Sequence, residues 1–244
     1  RNAIGVPDSL MKGLCNYFVD PDCPLQHTIT ANEGGAIALA AGKYIAEGVP
    51  SLVYFQNSGF GNSLNPLLSL ADKQVYGIPM IVLVGWRGEP GVKDEPQHMK
   101  QGEVMEDLLR TSKIPHLILC PDENNIRALV TQAFDLAVQG REPVVILVRK
   151  GVFDDFSLTD FDASSLPSRE EAIKKIVSLS EANDIFVSTT GMASRELYEV
   201  RDQLAHGHGA DFLTVGSMGH ANMIALGIAE GASHRRVLCI DGDG

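Results

Sequence analysis

The sequence predicts an α/β protein built from two doubly wound parallel-sheet domains, the second of them truncated. Three observations lead there. Continuous apolar runs rich in β-branched residues alternate with helical patterns, which is the signature of a parallel sheet covered on both faces. The alternation breaks once, around Phe153 to Ser168, where Asp, Ser, Thr, Phe and Pro follow no period. It then resumes and runs to Asp241-Gly242-Asp243-Gly244, directly behind an apolar strand. The expected division is a domain over 1–152, a linker over 153–168 and the start of a second domain over 169–244. A sheet stopping on its third or fourth strand leaves an unpaired hydrophobic edge, so the second domain is expected to continue beyond these residues.

The elements follow in order. After the turn Gly5-Val6-Pro7-Asp8-Ser9, Leu10, Leu14, Tyr17 and Phe18 mark a helix over 10–19, and a second helical pattern covers Ala36 to Ala46. Ser51–Phe55 reads as a buried strand, followed by a Gly/Asn loop and a helix from about Pro66 to Lys73. Strands are expected at Met80–Val84, Leu117–Leu119 and Pro143–Val148. The helix from Asn125 to Val138 is expected to turn Ile126, Leu129, Val130, Ala133 and Leu136 inward. Residues 85–102 read as a long Gly/Pro-rich connection, a kind that tends to be functional or disordered. The second domain should run helix Arg169–Leu179, strand Asp184–Ser188, helix Ser194–Gln203, strand Phe212–Val215, helix Asn222–Ala229, strand Val237–Ile240.

Composition narrows the classes. Apolar residues make up 44% of 244, enough for packed cores, and a net charge of −11 argues against nucleic acid, which calls for a basic stripe. No apolar run approaches the ~20 residues that cross a bilayer, and no secretory-type leader is present. A cytoplasmic protein without membrane contact is therefore expected. The chain opens Arg1-Asn2-Ala3 without Met, so a natural start and any targeting segment can lie ahead of it. Cys15, Cys23, Cys120 and Cys239 are scattered without zinc spacing and read as reduced structural thiols.

Chemistry concentrates at strand-to-helix turns. Glu33 sits among small residues in Ala31-Asn32-Glu33-Gly34-Gly35-Ala36. A glutamate in a helix's opening turn is favoured by the macrodipole. In an apolar crevice, the same carboxyl could share a proton with a ring nitrogen. The Asp243 in Gly242-Asp243-Gly244 is a common turn residue, yet it follows a strand end, where ligands bind in open α/β sheets. There it could hold a divalent cation bridging a diphosphate. Gly216-Ser217-Met218 and Thr190-Gly191 also follow strands; each is either an ordinary turn or a cradle of backbone N–H groups for an anion.

These residues carry a resemblance. Gly-Ser-Met-Gly-His, followed 25 residues after its Met by the Asp of Gly-Asp-Gly, resembles the diphosphate-binding domain of thiamine diphosphate (ThDP) enzymes. Further pieces resemble the phosphonopyruvate decarboxylase family within that group. They are Gly5–Leu10, Ala31–Gly34, Gln56–Asn62, Gly85-Trp86-Arg87-Gly88-Glu89-Pro90-Gly91, Asp94-Glu95-Pro96-Gln97-His98, Thr189–Gly191 and Ser217–His220. The resemblance implies the ThDP-binding fold and decarboxylation of 3-phosphonopyruvate with ThDP and Mg²⁺. Glu33 would activate the aminopyrimidine, and Gln56–Asn62, Asn57, Ser58 and Gly59 among them, would line that side. Thr190, Gly191, Gly216, Ser217, Met218, Gly242, Asp243 and Gly244 would hold the diphosphate, with Asp243 on the metal. Asp8 and Ser9 on the first βα turn, and His98 on a loop, would serve the 2-oxo acid substrate. Arg87, Lys93 and Lys100 are the nearest cations for its phosphonate, each of them equally a solvated charge. The resemblance also implies at least a homodimer with sites shared between subunits. Sulfopyruvate decarboxylation, a carboligase of the acetolactate synthase type and a non-catalytic ThDP-fold module are the alternatives.

Overall fold

The computed structural model describes residues 1–157 and 166–242. Asp243 and Gly244, and the middle of the expected linker, lie outside the described residues. The chain divides into two compact units, Arg1–Thr159 and Asp160–Gly244.

In the first unit the elements run β1 (Asn2–Gly5), α1 (Lys12–Val19), β2 (Gln26–Ile29), α2 (Glu33–Glu47), β3 (Leu52–Gln56), α3 (Phe60–Pro66), β4 (Met80–Gly85), α4 (Pro96–Thr111), β5 (His116–Leu119), α5 (Ile126–Gly140) and β6 (Pro143–Val148). All six strands are parallel, in the order β2-β1-β3-β4-β6-β5. Winding in both directions from β1 is the doubly wound arrangement the sequence predicts.

Alternation explains the continuous apolar runs. Val53, Phe55, Val82, Val84, Val145 and Leu147 face a core shared with Ala36, Ile37 and Ala40 of α2 and Met105 and Leu109 of α4. Their neighbours Tyr54, Ile81, Leu83, Val144 and Ile146 face the other side, with Phe18 of α1 and Ala133 and Ala137 of α5. A strand buried on both faces has no solvent side on which to place polar residues. The chain beyond β6 lies along α1: Asn16 Nδ2 donates to the Phe156 carbonyl at 2.7 Å, and Tyr17 meets Phe156 edge to face at 5.6 Å.

The second unit runs α6 (Arg169–Ser178), β7 (Ile185–Ser188), α7 (Met192–Gln203), β8 (Asp211–Leu213), α8 (Ala221–Gly231) and β9 (Val237–Ile240). Its parallel sheet has the order β8-β7-β9. Phe186 packs with Ile173, Val177, Leu197 and Val200 from α6 and α7, while Val187 packs with Ala221 and Ala225 of α8. Ser168 opens α6 with a reciprocal capping box to Glu171.

Four expectations are corrected. The Asn57–Asn62 stretch is not a loop but a 3-10 turn, Asn57–Gly59, leading into α3. Its Gly, Asn and Ser are turn formers, which hid the helix. The 85–102 connection ends at Glu95, because Pro96 occupies the first position of α4, where its missing N–H costs nothing. His98 therefore stands on a helix rather than a loop. On α5, Ile126, Val130 and Leu136 are exposed, and the buried stripe is Ala133 and Ala137 beside Leu129. That helix is apolar on several stripes, and the sheet accepts the one with small residues. Finally, β1 and β2 were not foreseen; each has four residues, and β2 is largely polar. No described helix is long and apolar enough to cross a membrane.

Candidate active site

The carboxyl ends of β1, β3 and β4 and the start of α2 gather the first group of candidate residues. Asn32 caps α2, its Oδ1 accepting from the Gly35 N–H at 2.7 Å, and this makes Glu33 the first helical residue. Glu33 is only 4% exposed. Asn62 Nδ2 donates to its Oε2 at 2.9 Å, and Oε1 has no partner among the described residues. The carboxyl lies against Gly59, where a Cβ would stand 2.0 Å from Oε1 and 2.1 Å from Cδ. Only glycine at 59 leaves room for this side chain.

Asp8 is also 4% exposed. Its Oδ1 accepts from the Leu10 N–H at 3.2 Å and from Gln56 Nε2 at 3.1 Å, and Ser58 Oγ donates in turn to Gln56 Oε1. Oδ2 has no partner among the described residues and faces Gly85, whose Cβ would meet it at 2.0 Å. Burial pushes the Asp8 carboxyl above the usual range, against the hydrogen bonds from Gln56 and Leu10 and the proximity of Arg87 and His98.

The Arg87 loop is locked from three sides. Asn57 accepts from the Arg87 N–H at 3.1 Å and donates to the Arg87 carbonyl at 2.8 Å. Trp86 Nε1 donates to the Gly102 carbonyl at 3.0 Å, and a Cβ on Gly102 would collide with the Gly88 carbonyl at 1.9 Å. The Arg87 guanidinium lies along Asp94, with Nε to Oδ2 at 2.8 Å, while Nη1 reaches Ser9 Oγ at 3.0 Å. His98 Nδ1 meets Asp94 Oδ1 at 3.0 Å. Arg87 above all, with His98 and the Gly88 and Glu95 N–H groups, holds the Asp94 carboxyl far below the ordinary carboxylate range despite its partial burial.

The structure thus brings Asp8, Ser9, Arg87 and His98 into one network, and seats Glu33 on Gly59. It places Lys93 and Lys100 elsewhere: Lys93 is exposed, and Lys100 pairs with Glu103 on the outside of α4. Sequence reasoning passed over Asp94, and beyond lining the pyrimidine side it gave no part to Asn62, which holds Glu33, or to Gln56, which bridges Ser58 to Asp8. All three stood inside quoted motifs, but only distance reveals their roles.

In the second unit, Thr190, Gly191, Gly216, Ser217 and Gly242 all follow the carboxyl ends of adjacent strands β7, β8 and β9. Thr190 Oγ1 donates to the Val215 carbonyl at 2.5 Å, tying two of these turns together. Gly191 (φ 86) and Ser217 (φ 57) take left-handed backbone, and Met218 lies half-exposed beside them. No group of three or more His, Cys, Asp or Glu residues suited to a metal occurs among the described residues.

Two parallel sheets thus carry turns at their carboxyl edges, and the first places the buried Glu33 beside its own. The sequence profile of the thiamine pyrophosphate enzyme N-terminal TPP binding domain matches residues 1–111. A phosphonopyruvate decarboxylase of Streptomyces viridochromogenes is 34% identical over 257 aligned positions, covering 98% of this chain and 62% of that protein. The sulfopyruvate decarboxylase alpha subunit of Methanococcus maripaludis is 33% identical over 144 positions, covering 59% of this chain and 82% of that subunit. A sulfopyruvate decarboxylase beta subunit of Methanothermobacter thermautotrophicus is 42% identical over 76 positions, 31% of this chain and 37% of that subunit. The chain belongs to the thiamine pyrophosphate enzyme family. It spans 62% of the length of the Streptomyces relative, with 98% of its own residues aligned.

Proposed function

We propose that this chain is part of a decarboxylase that converts 3-phosphonopyruvate to phosphonoacetaldehyde and CO₂ with ThDP and Mg²⁺. The observation that carries the reading is the setting of Glu33. It is buried, fixed by Asn62 on one oxygen, open on the other, and given its space by Gly59. A carboxyl so placed suits proton exchange with a ring nitrogen, so the residues fit the aminopyrimidine of ThDP. When bound, ThDP supplies the electron sink for loss of CO₂ from a 2-oxo acid. Glu33 would hold and move the proton at the ring. The turns at Thr190–Gly191, Gly216–Met218 and Gly242–Gly244 would offer N–H groups to the diphosphate, with Asp243 on the Mg²⁺.

The substrate would meet Ser9, Arg87 and His98. Arg87 Nη1 is the cationic donor for the phosphonate, and His98 is the group able to exchange a proton with the substrate. Similarity to the phosphonopyruvate decarboxylase, at 34% identity over 98% of the chain, supports this substrate. The second reading, sulfopyruvate decarboxylation, is supported by similarity to both kinds of sulfopyruvate decarboxylase subunit, over shorter stretches. The protein would act in the cytoplasm, in agreement with four free cysteines, and as at least a dimer with Glu33 and Asp243 contributed by different subunits. The test is CO₂ release by the full-length protein from phosphonopyruvate, sulfopyruvate and pyruvate side by side. Preference for phosphonopyruvate is expected. Preference for sulfopyruvate installs the second reading, and failure of all three substrates overturns both.

A further inference from the structure

The Asp94 carboxylate accepts five hydrogen bonds, four from its own loop and one from His98 on α4. Oδ2 takes Arg87 Nε at 2.8 Å and the Gly88 N–H at 2.8 Å. Oδ1 takes Arg87 Nη2 at 2.5 Å, the Glu95 N–H at 2.8 Å and His98 Nδ1 at 3.0 Å. Every lone-pair direction of a carboxylate is thereby used. Two consequences follow. An ionised carboxylate only accepts, so the hydrogen between Asp94 and His98 must sit on Nδ1. That leaves Nε2, which has no partner among the described residues, as the nitrogen able to exchange a proton. Likewise the clamp on Nε and Nη2 fixes the plane of the guanidinium and leaves Nη1 to reach Ser9 Oγ at 3.0 Å.

We propose that Asp94 is a positioning residue of this site. One carboxylate fixes His98 as its Nδ1–H tautomer and turns Arg87 Nη1 toward Ser9, so that a proton-exchanging nitrogen and a cationic donor are set together. This rests on the decarboxylase reading for the roles of those two groups. The competing account gives Asp94 only the two backbone N–H groups to hold, as a clamp on the turn at Gly88 (φ 67). A clamp of that kind affects stability but leaves the imidazole tautomer and substrate affinity alone.

Ring-nitrogen NMR of the full-length holoenzyme with ¹⁵N-labelled histidine separates the two accounts. The His98 signals are identified by their loss in His98→Gln. The expected wild-type result is protonated Nδ1 and unprotonated Nε2 above the imidazole titration. In Asp94→Asn, we expect a mixture of tautomers and a KM for phosphonopyruvate raised on the order of 10–100-fold, the scale of losing an orienting partner. An Nε2–H tautomer in the wild type overturns the proposal without any variant. An unchanged tautomer or KM in a folded Asp94→Asn also overturns it. Should Asp94→Asn not fold, Asp94→Ser takes its place with the same two readouts, and the wild-type tautomer remains a test by itself. If no 2-oxo acid is turned over at all, the decarboxylase reading falls, and the tautomer measurement still decides the part played by Asp94.

Discussion

Replacing Gly59 by Ala isolates the space that Glu33 occupies. The added methyl would stand 2.0 Å from Oε1, 2.1 Å from Cδ and 2.4 Å from Cγ of Glu33. Favourable carbon contacts begin near ~3.5 Å, so three atoms of one side chain overlap the methyl by more than about 1 Å. Gly59 lies buried in the 3-10 turn between β3 and α3, so the glutamate is the partner that moves. Displacement breaks its bond to Asn62, worth about 1 kcal/mol net, and forces a poorer rotamer at about 0.5–1.5 kcal/mol. Unfolding free energy should drop by about 1.5–2.5 kcal/mol, within the range for overpacked cores. Decarboxylation should fall by on the order of 10²–10⁴, the worth of a general acid/base. Gly61→Ala is the control: it is exposed in α3, and its Cβ would meet nothing within 4 Å. Removing a helical glycine there should leave activity intact and add about 0.5–1 kcal/mol. Urea unfolding and CO₂ release are measured on both variants. If Gly59→Ala retains most of the wild-type turnover, or if the two variants behave alike, the account of Glu33 is wrong.

Four further outcomes are expected. Gly102→Ala would drive a methyl to 1.9 Å from the Gly88 carbonyl oxygen and should cost about 1–3 kcal/mol in urea; an unchanged midpoint counts against the close packing of α4 on the Arg87 loop. Because Asp94 titrates lower folded than unfolded, its stabilisation is present above the unfolded pKa of about 3.9 and is lost as pH falls through the folded value. The stability gap between wild type and Asp94→Asn should thus be flat near neutral pH and close progressively below about pH 5; a gap undiminished at pH 3 refutes this. Asp243→Ala in the full-length protein should weaken ThDP and Mg²⁺ together in calorimetric titrations, and unchanged affinity would make Gly242–Gly244 a turn only. Mixing Glu33→Gln with Asp243→Ala protein should restore part of the activity through exchanged subunits, whereas proven exchange without recovery excludes shared sites.

Sheet strands buried on both faces were legible because each is an unbroken apolar run: Met80–Val84 and Pro143–Val148 needed no other signal. Short strands were not, since Gln26–Ile29 shows neither alternation nor an apolar run. The helix α4 carried a readable pattern in Pro96 at its start and in buried Gly102, Met105 and Leu109, but a glycine within that stripe weakened it. At the site, residue type marked Glu33 among its small neighbours, whereas Arg87 was only one of three cations beside Lys93 and Lys100. The roles of Asn62 and Asp94 could not be read, because an amide or a carboxylate in a polar loop suits solvent as well as a partner. Their meaning comes from the through-space distances to Glu33, Arg87 and His98.

Strand order also dictates how this sheet can grow as the chain is made. From β1 to β4, each new strand can dock beside one already present. The fifth cannot, because β5 pairs only with β6, which lies between β5 and β4. Until Val148 has been synthesised, β4 therefore offers a naked edge of six residues that are fully buried in the finished unit. Some 60 residues separate the two strands. At ~5–20 residues per second, that edge stays open for several seconds in each nascent chain. The sheet is completed by insertion into a gap rather than by addition at a rim. A ribosome stalled within α5 would release a species whose most apolar strand is ready to pair with a stranger.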